Sequence, residues 1–149
     1  MDKYKLQALA PSLGVEVTPV NVHDVDELKR GLGAFAHGPN DGLIVRASGA
    51  AQRHRDFIIA LAAQYRLPAV YFERTIVAAG GLISYGADYL DQFRRAAGHV
   101  DRILKGEKPA DLPVQAPTKY NMTLNLKTAK VLDLDVPATV LARVDEVIE

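Results

Sequence analysis

Short apolar runs and longer amphipathic stretches alternate along residues 15–105. The apolar runs are β-branched or continuous, which is typical of strands that are buried in a parallel sheet. The predicted strands are VEVTPVNV (15–22), DGLIVRA (41–47), LPAVYF (67–72) and LISYG (82–86). Each strand and the helix after it span about 25–30 residues, as βαβ units do. The pattern therefore predicts a parallel sheet with right-handed crossovers.

Capping residues and glycines mark the ends of the predicted helices. Asp24 is placed as an N-cap, with Glu27 as its capping-box partner, and this helix should end near Gly38-Pro39. The other predicted helices are residues 2–13, which Gly14 ends, residues 50–66, a short turn or helix over 73–81, and residues 87–105, which Gly106 ends.

The last third of the chain mixes element types. Residues 107–118 are proline-rich and should be extended, whereas 119–126 alternate apolar and polar residues and predict a half-buried strand. A short helix is predicted over 127–134, and Pro137 suits the first turn of a closing helix. The whole chain is thus predicted to be α/β, with three α/β/α layers around a mostly parallel sheet.

Composition narrows the possible functions. A chain of 149 residues with 48% apolar and 24% charged residues suits one globular domain. Eighteen basic and eighteen acidic residues give zero net charge, which argues against a charge-driven nucleic-acid or membrane-surface role. The absence of cysteine excludes disulfides and thiolate metal sites, and no metal site or cofactor is predicted.

Ligands in open parallel sheets bind beyond the carboxyl ends of the strands, and three such corners can be named. At the first, Ser48, Gly49 and Ala50 lead into a helix: Gly49 lets the backbone turn tightly, and the backbone amides of Ala50 and Ala51 could receive a ligand oxygen atom. The alternative is that Ser48 is an ordinary N-cap.

The other two corners offer side chains. Arg74 could bind a ligand carboxylate with two hydrogen bonds, or it could pair with Glu73 or lie in solvent. Ser84 and Tyr85 end the strand 82–86, and the tyrosine offers a flat apolar face with one hydroxyl group. The alternative for Tyr85 is a residue packed at the edge of the core.

Motifs for catalysis are missing from the sequence. The four histidines have no paired partner four residues away, and HExxH, GxSxG and GxGxxG do not occur. These observations favour binding over chemistry, so the chain is not predicted to be an enzyme.

Several segments together resemble a known family. They are LPAVY, GGLISYGADYLDQFRRAA, VDRILKGEKPADLPVQAPTKY and NLKTAKVLDLDVP, and their order and spacing match as well as their composition. They resemble the C-terminal half of ABC-transporter substrate-binding proteins. More narrowly, they resemble a bacterial family with the class I periplasmic-binding-protein fold, some of whose members are thought to bind aromatic amino acids. The resemblance covers nearly the whole chain.

The resemblance implies one lobe of a two-lobed binder that closes around a small-molecule solute by hinge motion. Residues 1–149 would be this lobe, and Ser84, Tyr85 and Asp88 would lie at the hinge and cleft wall. The implied partners are an amphipathic solute, such as an amino acid, and, for the full-length form, an ABC permease. The family is periplasmic or membrane-anchored, whereas the chain as written has no signal segment and is expected to be a fragment or shortened form that stays in the cytoplasm.

The helix 87–105 carries a broad apolar stripe. Its members are Leu90, Phe93, Ala97, Val100 and Leu104. Burial of the four large side chains is worth about 6–12 kcal/mol, which is comparable to the net stability of a domain. The segment 87–118 is therefore expected to pack on a missing N-terminal lobe or on a second copy in a homodimer. The alternative is that the helix packs on its own sheet.

Two other functional classes are weighed against the binding lobe. One is a cytoplasmic flavodoxin-like regulatory or interaction domain that uses the apolar stripe as its interface. The other is an enzyme, which has the least support. The reading frame upstream of Met1 would discriminate between a binding lobe and a separate domain.

Overall fold

The computed structural model describes residues 3–35, 38 and 40–149. It divides the chain into two compact units, residues 1–41 and residues 42–149. We call the first the N-terminal unit and the second the sheet unit.

The described part of the N-terminal unit contains two helices and, between them, a segment without regular secondary structure. Helix α1 (Lys3–Leu9) continues into a 3-10 turn (Ala10–Leu13), and Gly14 closes this turn in the left-handed conformation at φ 66°. Glycine adopts this conformation without steric cost, so the predicted end of the first helix is confirmed.

Helix α2 (Val25–Phe35) begins as predicted. The Asp24 carboxylate accepts hydrogen bonds from the Asp26 and Glu27 amides at 2.7 and 3.1 Å, which is the arrangement of an N-cap. The Glu27 carboxylate accepts a hydrogen bond from the Asn21 side chain at 3.0 Å. The helix is described as far as Phe35, and residues 36, 37 and 39 lie outside the described residues, so the predicted end near Gly38-Pro39 stays a prediction.

The predicted strand 15–22 is wrong. These residues are in no strand and pair with none of the five strands of the sheet. Val20 instead lies against helix α2, where a Cβ atom on Gly31 would come within 2.8 Å of its side chain. The alternation was a correct sign of β-propensity, but a strand also needs a neighbouring strand to receive its hydrogen bonds.

The sheet unit is built on five strands in the spatial order β1-β2-β3-β4-β5. Their bounds are Leu43–Ile44 (β1), Ala69–Tyr71 (β2), Ile83–Ala87 (β3), Tyr120–Asn125 (β4) and Glu146–Ile148 (β5). Strands β1, β2 and β3 are parallel, β4 runs antiparallel to β3, and β5 is parallel to β4. The predicted α/β class with a mostly parallel sheet is confirmed, whereas β5 was not predicted.

The helices of the sheet unit lie between consecutive strands along the chain. Their bounds are Gly49–Arg53 (α3), Arg55–Gln64 (α4), Arg74–Ala78 (α5), Tyr89–Leu104 (α6), Leu126–Val131 (α7) and Ala138–Leu141 (α8). The single helix predicted over 50–66 is interrupted at His54, whose φ and ψ of −99° and 16° are not helical. Pro137 is the N-cap of α8, one position before the predicted first turn.

Asn125 connects the end of β4 to two neighbouring elements. Its side-chain oxygen accepts a hydrogen bond from the Thr128 amide and so caps α7, and its amide nitrogen donates to the Val77 carbonyl of α5. Next to it, Leu82, Leu124, Ala129 and Leu132 form a buried apolar cluster, against which Leu134, Val136 and Val144 pack. Residues 126–144 thereby cover the end of the sheet where β3 begins and β4 ends.

Candidate ligand-binding edge of the sheet

The carboxyl ends of β1, β2 and β3 meet at one edge of the sheet, and the antiparallel strand β4 begins there. We call this the carboxyl edge. Five of the seven predicted site residues follow these three strands, so the topology brings their backbones to this edge, whereas Ser84 and Tyr85 lie within β3.

The first corner is an N-cap. The Ser48 hydroxyl accepts a hydrogen bond from the Ala51 amide at 3.0 Å at the start of α3. Ala50 is buried at 3% exposure, and Gly49 is the first helical residue. The ordinary capping role named as the alternative for Ser48 is therefore present, and the amide of Ala51 already has its acceptor.

The second corner holds an ion pair. Arg74, the first residue of α5, donates two hydrogen bonds to the Glu146 carboxylate of β5, from Nε at 2.5 Å and from Nη2 at 2.6 Å. The hydrogen bonds from Arg74 hold the pKa of Glu146 below its usual value. Arg74 is thus paired with Glu146 and not with Glu73, and the bidentate geometry ties α5 to the edge strand.

The third corner combines a buried and an exposed residue on β3. Ser84 is buried at 2% exposure, whereas the next residue, Tyr85, is 55% exposed on the opposite face. The Tyr85 ring stacks on the Tyr120 ring of β4, with ring centroids 5.6 Å apart and the planes inclined by 16°. Tyr120 is itself 46% exposed.

Gly86 allows a close backbone approach at this corner. A Cβ atom at Gly86 would overlap the carbonyl oxygen of Phe72, at the carboxyl end of β2. The sequence therefore requires glycine where β3 passes the segment that leads into α5.

Asp88 acts as a structural residue at the start of α6. Its carboxylate accepts a hydrogen bond from the Asp91 amide at 3.1 Å and lies 3.3 Å from the Lys119 ammonium. The bond from the Asp91 amide is the largest cause that lowers the pKa of Asp88, and bonds from Lys119 and Asn121 add to it. Since these donors engage the carboxylate, its visible role is to cap α6 and to fasten it to the start of β4.

Helix α6 carries an exposed apolar surface. None of the sixteen residues of α6 is buried. Four large apolar side chains, Leu90, Phe93, Val100 and Leu104, are 68%, 72%, 54% and 82% exposed. We call these four residues with Ala97 the α6 surface. The alternative that this helix packs on its own sheet is contradicted.

Residues 107–118, predicted to be extended, contain a 3-10 turn (Pro109–Asp111), and the segment up to Lys119 is hydrogen-bonded to this helix and its N-cap. Arg95 donates hydrogen bonds to Thr118 at 2.7 Å and to Gln115 at 2.8 Å, and the Asp88 amide donates to the Lys119 carbonyl at 2.9 Å. Helix α6 and residues 115–119 are therefore held to each other by hydrogen bonds.

The sequence did not reveal two residues that contact the predicted site residues. Tyr120 was assigned to a strand, but its stacking on Tyr85 depends on a diagonal pairing between β3 and β4 that no local pattern reveals. Glu146 was missed because β5 is only three residues long and was predicted as part of a closing helix.

Comparison with known proteins supports the expected fold. A family model described as ABC transporter substrate binding protein matches residues 3–148. No curated protein matches the chain. The structure is similar to a conserved domain protein from Vibrio cholerae O1 biovar El Tor, with a TM-score of 0.85 and 23% identity over 97% of this chain and 48% of that chain.

Two further solved structures are similar. One is the ABC domain in complex with L-Trp from Streptococcus pneumoniae, with a TM-score of 0.82 and 23% identity over 97% of this chain and 50% of that chain. The other is a ligand-free, open substrate-binding protein with adhesive properties from Clostridium difficile, with a TM-score of 0.69 and 21% identity over 96% and 48%. The chain spans about half the length of the structures it matches.

Among the helices that the structure describes, none is long and apolar enough to cross a bilayer.

Proposed function

Because the chain belongs to the family of ABC transporter substrate-binding proteins, we propose that residues 1–149 form one lobe of a solute-binding protein that delivers its ligand to an ABC permease. The observation that carries this proposal is the family match over residues 3–148. The exposed ring of Tyr85 at the carboxyl edge is consistent with it. The proposed role is capture without catalysis.

The proposed ligand is a small amphipathic solute such as an amino acid. Tyr85 supplies an exposed apolar ring at the carboxyl edge, and the backbone around Ser48, Gly49 and Ala50 begins a helix there. Ser84 and Asp88 hold the site in place: Ser84 is buried below it, and Asp88 caps α6 beside it. Arg74 contributes to binding only where a ligand carboxylate competes with Glu146 for its guanidinium group.

The α6 surface is proposed to pack on a second lobe. About half of each matched structure has no counterpart in residues 1–149, and an exposed stripe of this size is uncommon on an isolated domain. When the chain is alone, we propose that a second copy covers the surface and forms a homodimer through residues 87–118.

The solute role is tested by an NMR titration of the ¹⁵N-labelled chain with a panel of free amino acids and other small solutes at millimolar concentration. We expect at least one solute to shift the amide signals of residues 46–50 and 84–88 selectively. A Tyr85→Ala variant should weaken this shift, while Val131→Ala serves as the control, because Val131 is an exposed apolar residue of α7.

Absence of any selective shift at the carboxyl edge with every solute of the panel would contradict the proposal. A regulatory or interaction domain would then be the better description, since such a domain needs the α6 surface but no solute.

A further inference from the structure

The α6 surface has a spacing that fits a second helix. Its apolar residues are alternately three and four positions apart, which is the heptad spacing of helices that pair with one another. On this helix, Arg95 binds Thr118 and Gln115. Because Arg95 is two positions from both Phe93 and Ala97, these hydrogen bonds lie on the opposite side of the helix. The segment 115–118 is thus held away from the α6 surface, which stays exposed.

The two flanks of the α6 surface differ in chemistry. One flank carries Arg94 and Asp101, which are one heptad apart and opposite in charge, and we call it the charged flank. The other flank, which we call the apolar flank, consists of Tyr89, Ala96 and Ile103. These are the positions beside the seam that set the orientation and partner choice of paired helices.

The flanks decide the orientation of a second copy. A two-fold axis that relates antiparallel helices keeps each flank on the same side, so charged flank meets charged flank and apolar flank meets apolar flank. A parallel pair instead places each charged flank beside the apolar flank of the other copy. Setting a charged group against apolar surface costs free energy unless it finds an opposite charge, so the antiparallel pair is favoured.

The charged flank also decides the register. When Phe93 lies opposite Leu104 of the second copy, Arg94 comes beside Asp101 of that copy, and the two-fold axis repeats this contact. A shift by one heptad would instead place Arg94 beside Arg94, or Asp101 beside Asp101, depending on its direction. Like charges side by side are unfavourable, so they exclude both shifted registers.

Both residues of the charged flank are available for these contacts. Arg94 is exposed, and it has no ion-pair partner among the residues that the structure describes. The Asp101 carboxylate accepts a hydrogen bond from the Lys105 ammonium through Oδ2 at 2.8 Å, and its side chain is 60% exposed, so it can accept further hydrogen bonds. Neither residue has to give up a contact within its own copy in order to pair with a second copy.

From these observations we infer that α6 pairs antiparallel with α6 of a second copy, in the register that sets Arg94 of each copy beside Asp101 of the other. This inference specifies the homodimer of the proposed function and rests on it. Because α6 begins at the carboxyl edge, the pairing brings the C-terminal end of the second copy's α6 next to the carboxyl edge of the first. Each copy thus supplies part of the surface that borders the other copy's predicted ligand site.

Charge reversal in the full chain tests this pairing. Arg94→Glu alone and Asp101→Arg alone should each raise the dimer dissociation constant about three- to thirtyfold, because each turns two exposed ion pairs into like-charge contacts. An equimolar mixture of the two variants should dimerise as tightly as the wild type, since every contact in the mixed dimer again joins opposite charges. Light scattering over a concentration series measures the dissociation constants, and thermal melting shows that each variant is folded.

The matched control is Lys105→Gln. It removes the Lys105–Asp101 ion pair within one copy and leaves the charged flank intact. Its dimer dissociation constant should stay within about twofold of the wild-type value, as loss of an exposed pair outside the interface should do.

Cysteine cross-linking tests the orientation separately, because the chain contains no cysteine of its own. Phe93→Cys mixed with Leu104→Cys should give a disulfide-linked dimer on mild oxidation, since the antiparallel register sets these positions opposite each other. Phe93→Cys alone should not cross-link, because the two copies of position 93 then lie apart along the helices. A parallel pair would give the reverse result.

The outcomes distinguish the pairing from the proposed function. A wild type that dimerises, with no effect of either charge reversal or with a Phe93→Cys variant that cross-links to itself, would overturn the antiparallel pairing and leave the homodimer in place. A wild type that stays monomeric would overturn both and would leave the α6 surface to a different protein surface.

Discussion

At the residue scale, the third corner of the carboxyl edge depends on Gly86 as well as on Tyr85. The Phe72 carbonyl oxygen occupies the space that a side chain at position 86 would need. Backbone atoms cannot move aside as a flexible side chain can, so this contact restricts position 86 to glycine.

A pair of glycine variants tests this restriction. Gly86→Ala should lower the free energy of unfolding by about 1–3 kcal/mol, because either β3 or the end of β2 must shift. Gly98→Ala is the matched control, since a Cβ atom there would meet no atom within 4 Å, and alanine favours the helix by about 1 kcal/mol over glycine. Urea denaturation of both variants would measure the difference, and equal stabilisation by the two substitutions would show that position 86 is open.

Residue types predicted which elements carry the candidate residues better than they predicted the contacts of these residues. Ser48 and Arg74 follow strands and Tyr85 lies within a strand, as predicted, because strands can be read from apolar runs and breaker residues. The partners of Arg74 and Tyr85, Glu146 and Tyr120, could not be predicted, since they are 72 and 35 positions away along the chain and meet only through the sheet.

At the element scale, the Arg74–Glu146 ion pair fastens α5 to β5. Hydrogen bonds from Arg74 lower the pKa of Glu146, so the folded state binds the proton of this carboxylate more weakly than the unfolded state does. The pair therefore contributes stability above the unfolded pKa of Glu146, and this contribution disappears as the pH falls through the lower, folded pKa.

This linkage predicts a difference in pH dependence between two proteins. The melting temperature of the wild type should fall more between pH 6 and about pH 3 than that of Glu146→Gln, which cannot titrate at this position. The effect should be small, because both side chains are partly exposed and solvent screens the pair. Parallel pH profiles for the two proteins in thermal melting would contradict a role for this pair.

At this scale, the sequence predicted elements whose ends are set by local capping residues. It failed for elements that depend on a neighbouring strand. Gly106 follows the end of α6 as the sequence predicted, whereas the helix begins at Tyr89, after its N-cap Asp88, and not at the predicted residue 87. Residues 15–22 have the composition of a strand but remain unpaired, because pairing depends on a strand that no local pattern supplies. The interruption of the predicted helix 50–66 at His54 has no breaker residue to reveal it.

At the scale of the whole molecule, one end of the sheet is covered by apolar side chains, whereas the apolar side of α6 is exposed. The apolar cluster around Leu124 closes the end of the sheet where β4 finishes, whereas α6 carries four large apolar side chains in solvent. Burial of these four side chains is worth about 6–12 kcal/mol, so a surface of this kind is expected to find a partner. The central claim is that the chain is one lobe whose α6 surface is built to be covered by another protein surface.

Light scattering during size-exclusion chromatography, at loading concentrations from about 1 to 100 µM, tests this claim most directly. The wild type should shift from monomer to dimer over this range. Phe93→Glu should remain a folded monomer, because a carboxylate cannot be buried in an apolar interface without a large cost. Gln92→Glu, on the same helix, should behave as the wild type. A wild type that stays a folded monomer throughout, or a Phe93→Glu variant that dimerises equally well, would contradict the claim.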